Sequence, residues 1–184
     1  MNPRLRRLAA DYQAIRTEYS GHPYVTVQPV GPEPPETYRV TYRVPGLRLH
    51  GETPVSVDEH HVEVRLPLSY PREGPYCVPI TPLFHPNVSD HYCIADYWAA
   101  GETLVDVIAK LGDMIQFRIF NVKSPLDALA AYWAEQNPHL FPIGHIELGQ
   151  PELDIELRSP SAPAPAMAVT EDDALSISLN RSGS

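Results

Sequence analysis

Residues 84–98, Phe-His-Pro-Asn-Val-Ser-Asp-His-Tyr-Cys-Ile-Ala-Asp-Tyr-Trp, gather two imidazoles, a carboxamide, a thiol and several aromatic rings in one short run. Their hydrophobic pattern follows neither the helical nor the strand period, so the run reads as an irregular loop. A thiol in such a loop suits acyl transfer, in which a thiolate attacks a carbonyl and an N–H donor steadies the oxyanion that forms. On this reading Cys93 is the nucleophile, Asn87 the donor, and His85 with Pro86 shapes the turn. Plainer alternatives stand beside it: Cys93 as an inert thiol, and Asn87 as a partner of the loop backbone.

Working toward the amino terminus, period-two patterns appear at Val62, Val64, Leu66 and Leu68, at Tyr38, Val40, Tyr42 and Val44, and at Val25 and Val27. A further strand is expected from Tyr76 to Thr81, with Pro79 marking an edge or a strand end. The stretches between them, 31–35, 45–54 and 71–75, are rich in Gly and Pro and read as loops, which gives a four-stranded antiparallel meander. Ahead of it, Asn2 and Pro3 open an amphipathic helix with Leu5, Leu8, Tyr12, Ile15 and Tyr19 on one face. Arg4, Arg6 and Arg7 fall off that face and read either as solvated side chains or as a partner-binding group.

Toward the carboxyl terminus, Thr103 and Asp106 form a capping-box pattern before Leu104, Val107, Ile108, Leu111 and Ile115, with Gly112 as the one weak point of that helix. Ser124, Pro125 and Asp127 repeat the pattern before a third helix whose apolar side is Leu126, Leu129, Ala130 and Trp133. From His139 the periodicity fades. Residues 159–168 alternate Pro, Ala and Ser, so the tail is expected to be largely disordered, with two short alternating runs at Leu153, Ile155, Leu157 and at Leu175, Ile177, Leu179.

The chain has 184 residues, 43% of them hydrophobic, enough for one domain with a core. A net charge of -9 argues against nucleic-acid binding, which needs clustered cations. Two cysteines make no disulfide framework, no secretory pattern opens the chain, and no apolar run approaches the ~20 residues of a membrane span. A soluble cytoplasmic protein with no membrane contact is expected. His60, His61, His85, His91 and Cys93 lack the paired spacing of metal sites, so no metal is expected.

The order helix, four-stranded meander, His85-Pro86-Asn87, Cys93, Trp98, helix, helix resembles that of ubiquitin-conjugating enzymes. Ser69-Tyr70-Pro71 with Gly74-Pro75 resembles that family's proline-rich turn, Cys93-Ile94 its active-site cysteine and following aliphatic residue, and Ser124-Pro125-Leu126 the element opening its next helix. The likeness runs from about Asn2 to Asn137. It implies an α+β fold, with a catalytic domain over 1–144 and a tail over 145–184. It further implies that Cys93 receives a ubiquitin-like protein as a thioester from an activating enzyme and passes it to an amine of a target protein. No cofactor is needed, since the activating enzyme uses the ATP. The family docks that enzyme on the first helix, here Arg4, Arg6 and Arg7; whether a ligase takes part is left open.

The likeness also places Ser124 where the family carries an acidic or phosphorylatable residue at the mouth of the site, either in that role or as a helix cap. Asp96 or Asp90 are the alternative carboxylates, and His91 stands two residues from the thiol. The segment from Asn87 to Cys93 is shorter than in typical eukaryotic members, and the last family helix is missing. These departures resemble compact bacterial members that accompany an activating enzyme, a modifier and a metalloprotease in antiphage defence. A non-catalytic module of the same fold, binding ubiquitin-like proteins without carrying them, is the alternative reading.

Overall fold

The first helix starts where side chains replace the turn that is missing. Asn2 accepts a hydrogen bond from the Arg4 amide (2.9 Å), Pro3 fills a position that needs no amide donor, and α1 runs Pro3–Tyr19. Its buried face is Leu8, Asp11, Ile15 and Tyr19, while Leu5, expected in the apolar stripe, is exposed. Asp11 is tolerated there because Arg7 Nε (2.7 Å) and the Tyr70 hydroxyl (2.6 Å) both donate to it. The computed structural model describes residues 2–94, 98–99 and 101–149, which lie in a unit running from Met1 to Glu152. Asp96 and the alternating runs of the tail fall outside the described residues.

Six strands follow: β1 (Val25–Val30), β2 (Thr37–Tyr42), β3 (Gly46–His50), β4 (Thr53–Val57), β5 (His60–Arg65) and β6 (Tyr76–Pro79). Four form an antiparallel sheet in the order β1-β2-β5-β6, with Val40 opposite both Val27 and Val62, and Val64 opposite Cys77. Pro79 closes β6, which is an edge strand, where a missing N–H breaks no ladder. Tyr38, Val40, Tyr42, Val62 and Val64 point into the core. The helix α2 (Leu104–Ile115), with the expected capping box at Thr103 and Asp106, shares that core, and Tyr42 donates its hydroxyl to the Ile108 carbonyl (2.8 Å).

Residues 45–54 are not a loop as their prolines suggested. β3 and β4 pair as a separate two-stranded ribbon turned by Gly51 at φ 61°. Pro54 is accommodated because each strand of a ribbon keeps one unpaired edge. Gly46 brings the ribbon down onto the core: a Cβ there would stand 2.8 Å from Ile115 Cγ2.

The third helix also differs from its expected form. α3 spans Ala128–Gln136 and is capped by Asp127, which accepts from the Leu129 and Ala130 amides. Ser124 is not the cap. The Leu126 and Asp127 amides both donate to the Pro86 carbonyl (2.8 and 3.0 Å), which ties that segment down instead of letting it wind. The buried face is Ala130, Ala131 and Ala134, with Trp133 packed beside it; Leu126 and Leu129, expected inside, are exposed.

The expected domain end at 144 falls short. Leu148 is buried in the core, and the Gln116 side chain both donates to the Ile146 carbonyl (2.8 Å) and accepts from its amide (2.9 Å). Gly112, expected as the weak point of α2, is where Leu148 packs, since a Cβ would collide with Leu148 Cδ1. Gly112→Ala is therefore expected to destabilise, although Ala favours a helix by about 1 kcal/mol over Gly. Urea unfolding of Gly112→Ala, Leu148→Ala and the double variant checks this. The double variant should cost less than the sum of the singles, because removing Leu148 clears the collision.

Candidate active site

The His-Pro-Asn run forms a β-turn closed by the Val88 amide donating to the His85 carbonyl (3.1 Å), with Pro86 in the position that favours a fixed φ. His85 is fully buried. Its Nδ1 accepts from the Asn87 amide (3.0 Å), so Nε2 carries the proton and donates to the Ile119 carbonyl (3.2 Å). Burial pushes its pKa down to about 3, so the ring stays neutral. Phe84, one residue earlier, donates its amide to the Leu47 carbonyl (2.8 Å) and sets its ring edge-on to Trp133. The unforeseen ribbon thus supports the turn.

Phe117 packs directly against the His85 ring, with centroids 4.6 Å apart, and stacks on Phe141 at 4.7 Å. It stands just past the end of α2 at φ 55°, the left-handed conformation usually left to glycine. There its amide donates to Met114 and that of Arg118 to Asp113, a Schellman closure of the helix. No periodicity marks this residue; the only available signal was Phe117, Phe120 and Phe141 lying near a helix end.

Asn87 joins the turn to residues 121–124. Its Oδ1 accepts from the Asn121 amide (2.6 Å), and its Nδ2 donates to the carbonyls of Asn121 (2.8 Å) and Ser124 (3.4 Å). Its backbone carbonyl accepts from the Cys93 amide (2.9 Å). One residue therefore links the thiol-bearing loop to the Ser124 segment. Of its side-chain bonds, the one to Ser124 is the longest, and so the weakest obstacle to a competing acceptor.

The short 87–93 segment is a tight hairpin, with Val88 bridged to Tyr92 and the Ser89 amide donating to the His91 carbonyl (3.0 Å). Tyr92 is buried, and its amide donates to the Cys77 carbonyl (2.9 Å). Cys93 is half-buried and lines a groove of about 350 Å³ with Gly74, Tyr76, His91, Ile94 and Trp98. Trp98 closes over the 70–75 loop: Nε1 donates to the Pro71 carbonyl (3.1 Å), and a Cβ on Gly74 would come 2.8 Å from the indole. Cys77 lies within β6 with its side chain buried in the core, and burial pushes its thiol pKa well up, which suppresses the thiolate.

The three arginines in the first turns of α1 separate. Arg4 pairs with Glu36 (2.6 Å) and donates to the Pro67 carbonyl (3.1 Å). Arg7 holds Asp11, reaches the Glu102 carbonyl and lies 5.5 Å from the Tyr70 ring centroid. Arg6 is exposed. The reading of all three as a solvated face is therefore corrected for Arg4 and Arg7. Among the described residues, no three His, Cys, Asp or Glu side chains converge as metal ligands, and no helix is long and apolar enough to cross a membrane.

The chain aligns over 78% of its length with the crystal structure of a Plasmodium yoelii protein assigned as a ubiquitin conjugating enzyme, covering 90% of that chain with a TM-score of 0.56 at 17% identity. The fold is that of ubiquitin-conjugating enzymes. In sequence, 96 residues are 31% identical to ubiquitin-conjugating enzyme E2 K of Homo sapiens, and to the Bos taurus and Mus musculus proteins of that name. That stretch is 49% of this chain, which spans about half (47%) of the length of those relatives. No family model matches.

Two outcomes are expected from this geometry. Asn87→Ala leaves the Asn121 amide without its acceptor and should cost roughly 2–3 kcal/mol in urea unfolding; a side chain serving only an oxyanion would leave the midpoint unmoved. His85 and the buried His60, whose pKa burial also lowers, are held neutral in the fold. The unfolded chain binds more protons below the ordinary imidazole value of 6.5, so stability rises with pH across that window. Urea midpoints should fall from pH 7 to 6 to 5, before most carboxylates titrate; a flat profile would contradict the neutral rings.

Proposed function

We propose that the protein carries a ubiquitin-like protein as a thioester on Cys93, received from an activating enzyme, and passes it to an amine of a target protein. The observation that carries this reading is the pairing of the two thiols. Cys93 opens into a groove on a loop fixed by Asn87, whereas Cys77 is buried. The similarity to ubiquitin-conjugating enzymes and the shared fold support it.

In this cycle the Cys93 thiolate attacks the thioester on the activating enzyme, and that enzyme's thiol leaves. Asn87 acts first by fixing the position of residues 121–124 beside the loop. Should its Nδ2 release the long bond to Ser124, that N–H becomes a donor for the oxyanion formed during transfer. His85 and Pro86 hold the turn, and Ser124 contributes its carbonyl to Asn87. Of the arginines Arg4, Arg6 and Arg7, Arg6 is the exposed one and is taken as the contact for an activating enzyme. The short 87–93 hairpin favours placing the cycle in a bacterial antiphage conjugation system, which neighbouring genes for an activating enzyme and a modifier would test.

Incubation with a candidate activating enzyme, its modifier and ATP should give an adduct that reducing agent removes. It should vanish in Cys93→Ala and persist in Cys77→Ala. A non-catalytic module of this fold would bind the modifier and form no adduct. Arg6→Glu should slow charging without changing the melting temperature, and added salt should slow the same step. Arg7→Ala should instead lower stability by roughly 2–3 kcal/mol, because it strips Asp11 of its charged partner in the core.

A further inference from the structure

We propose that His91, oriented by Asp90, accepts the proton from the amine that attacks the acyl group on Cys93. The inference rests on the thioester reading above and supplies a base, which the neutral hydroxyl of Ser124 does not. His91 Nδ1 lies 2.7 Å from Asp90 Oδ1. This hydrogen bond holds the Asp90 carboxyl below its usual range, so the oxygen is an ionised acceptor. In the neutral ring the hydrogen then sits on Nδ1 and the lone pair on Nε2, the arrangement a general base requires.

Position supports the same assignment. The Val88 to Tyr92 bridge closes the turn that carries His91, and His91 and Cys93 are half-buried on either side of the buried Tyr92. Both line the same groove. The His91 ring stacks on Tyr76 of β6, with centroids 5.7 Å apart and planes at 22°, which fixes the imidazole against a strand. Among the described residues, the titratable groups around it are Asp90 on its own loop, Tyr76 on β6, Cys93, and Glu73 across the groove lining. Glu73 is already engaged, accepting from the Ser69 hydroxyl (2.5 Å).

The step balances as follows. The incoming ammonium gives one proton to His91 Nε2, and Asp90 stabilises the imidazolium. The freed amine forms the N–C bond as the C–S bond breaks, and Cys93 leaves as a thiolate. The imidazolium returns its proton to that thiolate, and the second amine proton passes to solvent, leaving an amide, a thiol and one released proton.

The test uses the full chain, loaded by exchange with a synthetic peptide thioester ending in Gly-Gly, so that no activating enzyme is needed. The loaded chain is then challenged with lysine at pH 7 and pH 10, and with hydroxylamine at pH 7. For His91→Gln, discharge to lysine at pH 7 should slow by about a hundredfold. The deficit should shrink at pH 10, where the lysine amine loses its own proton. Hydroxylamine, neutral at pH 7, should discharge both chains alike, and Asp90→Asn should show the same pattern more weakly. Wild-type discharge of His91→Gln to lysine would overturn the proposal, as would an equal loss with hydroxylamine and at pH 10, which marks a structural role. Failure of the wild-type chain to accept the peptide on Cys93 would overturn the carrier reading and this inference with it; a loaded chain indifferent to His91 overturns this inference alone.

Discussion

A buried imidazole that must stay neutral ties the two halves of the site together. His85 accepts at Nδ1 from its own turn and donates at Nε2 to the chain that follows α2. A second proton would set an N–H against the Asn87 amide, so protonation and the turn exclude one another. Asn87 then extends this link through its carboxamide to Asn121 and Ser124, and through its carbonyl to Cys93. The loop that carries Cys93 borrows its rigidity from a segment more than thirty residues away.

The aromatic cover over that imidazole involves a local conflict that burial resolves. Holding Phe117 in the left-handed region costs on the order of 1–2 kcal/mol relative to an ordinary backbone. Burying its ring against His85, Phe120 and Phe141 contributes roughly 2–3 kcal/mol by area, so the ring outweighs the backbone. Glycine would close the helix more easily and leave the imidazole uncovered. The same cluster takes up the small face of α3, whose alanines allow Trp133 and Phe84 to meet edge to face.

The sequence made the sheet and α2 legible because period-two and period-3.6 burial leave their mark residue by residue, as at Tyr38, Val40 and Tyr42 or at Leu104, Ile108 and Leu111. The motif residues of the loop were legible by chemical type. What stayed hidden depends on contacts distant in sequence. Gly112 looks weak until Leu148 is seen against it, and Asp11 looks misplaced until Tyr70 and Arg7 reach it. Ser124 has the spacing of a cap, but the Pro86 carbonyl takes the amides that winding would need. The stack of His91 on Tyr76 joins two short elements that local pattern alone does not relate.

The unequal burial of the two thiols has a practical side. With two cysteines in the whole chain, one opening into a groove and the other buried on the inner face of the sheet, an alkylating reagent meets one accessible thiol in the folded molecule and two once it unfolds. Labelling stoichiometry thus becomes a ruler for the integrity of the sheet. A fluorophore on the outer sulfur would also sit beside Trp98 and Tyr76, close enough for quenching to report the occupancy of the groove.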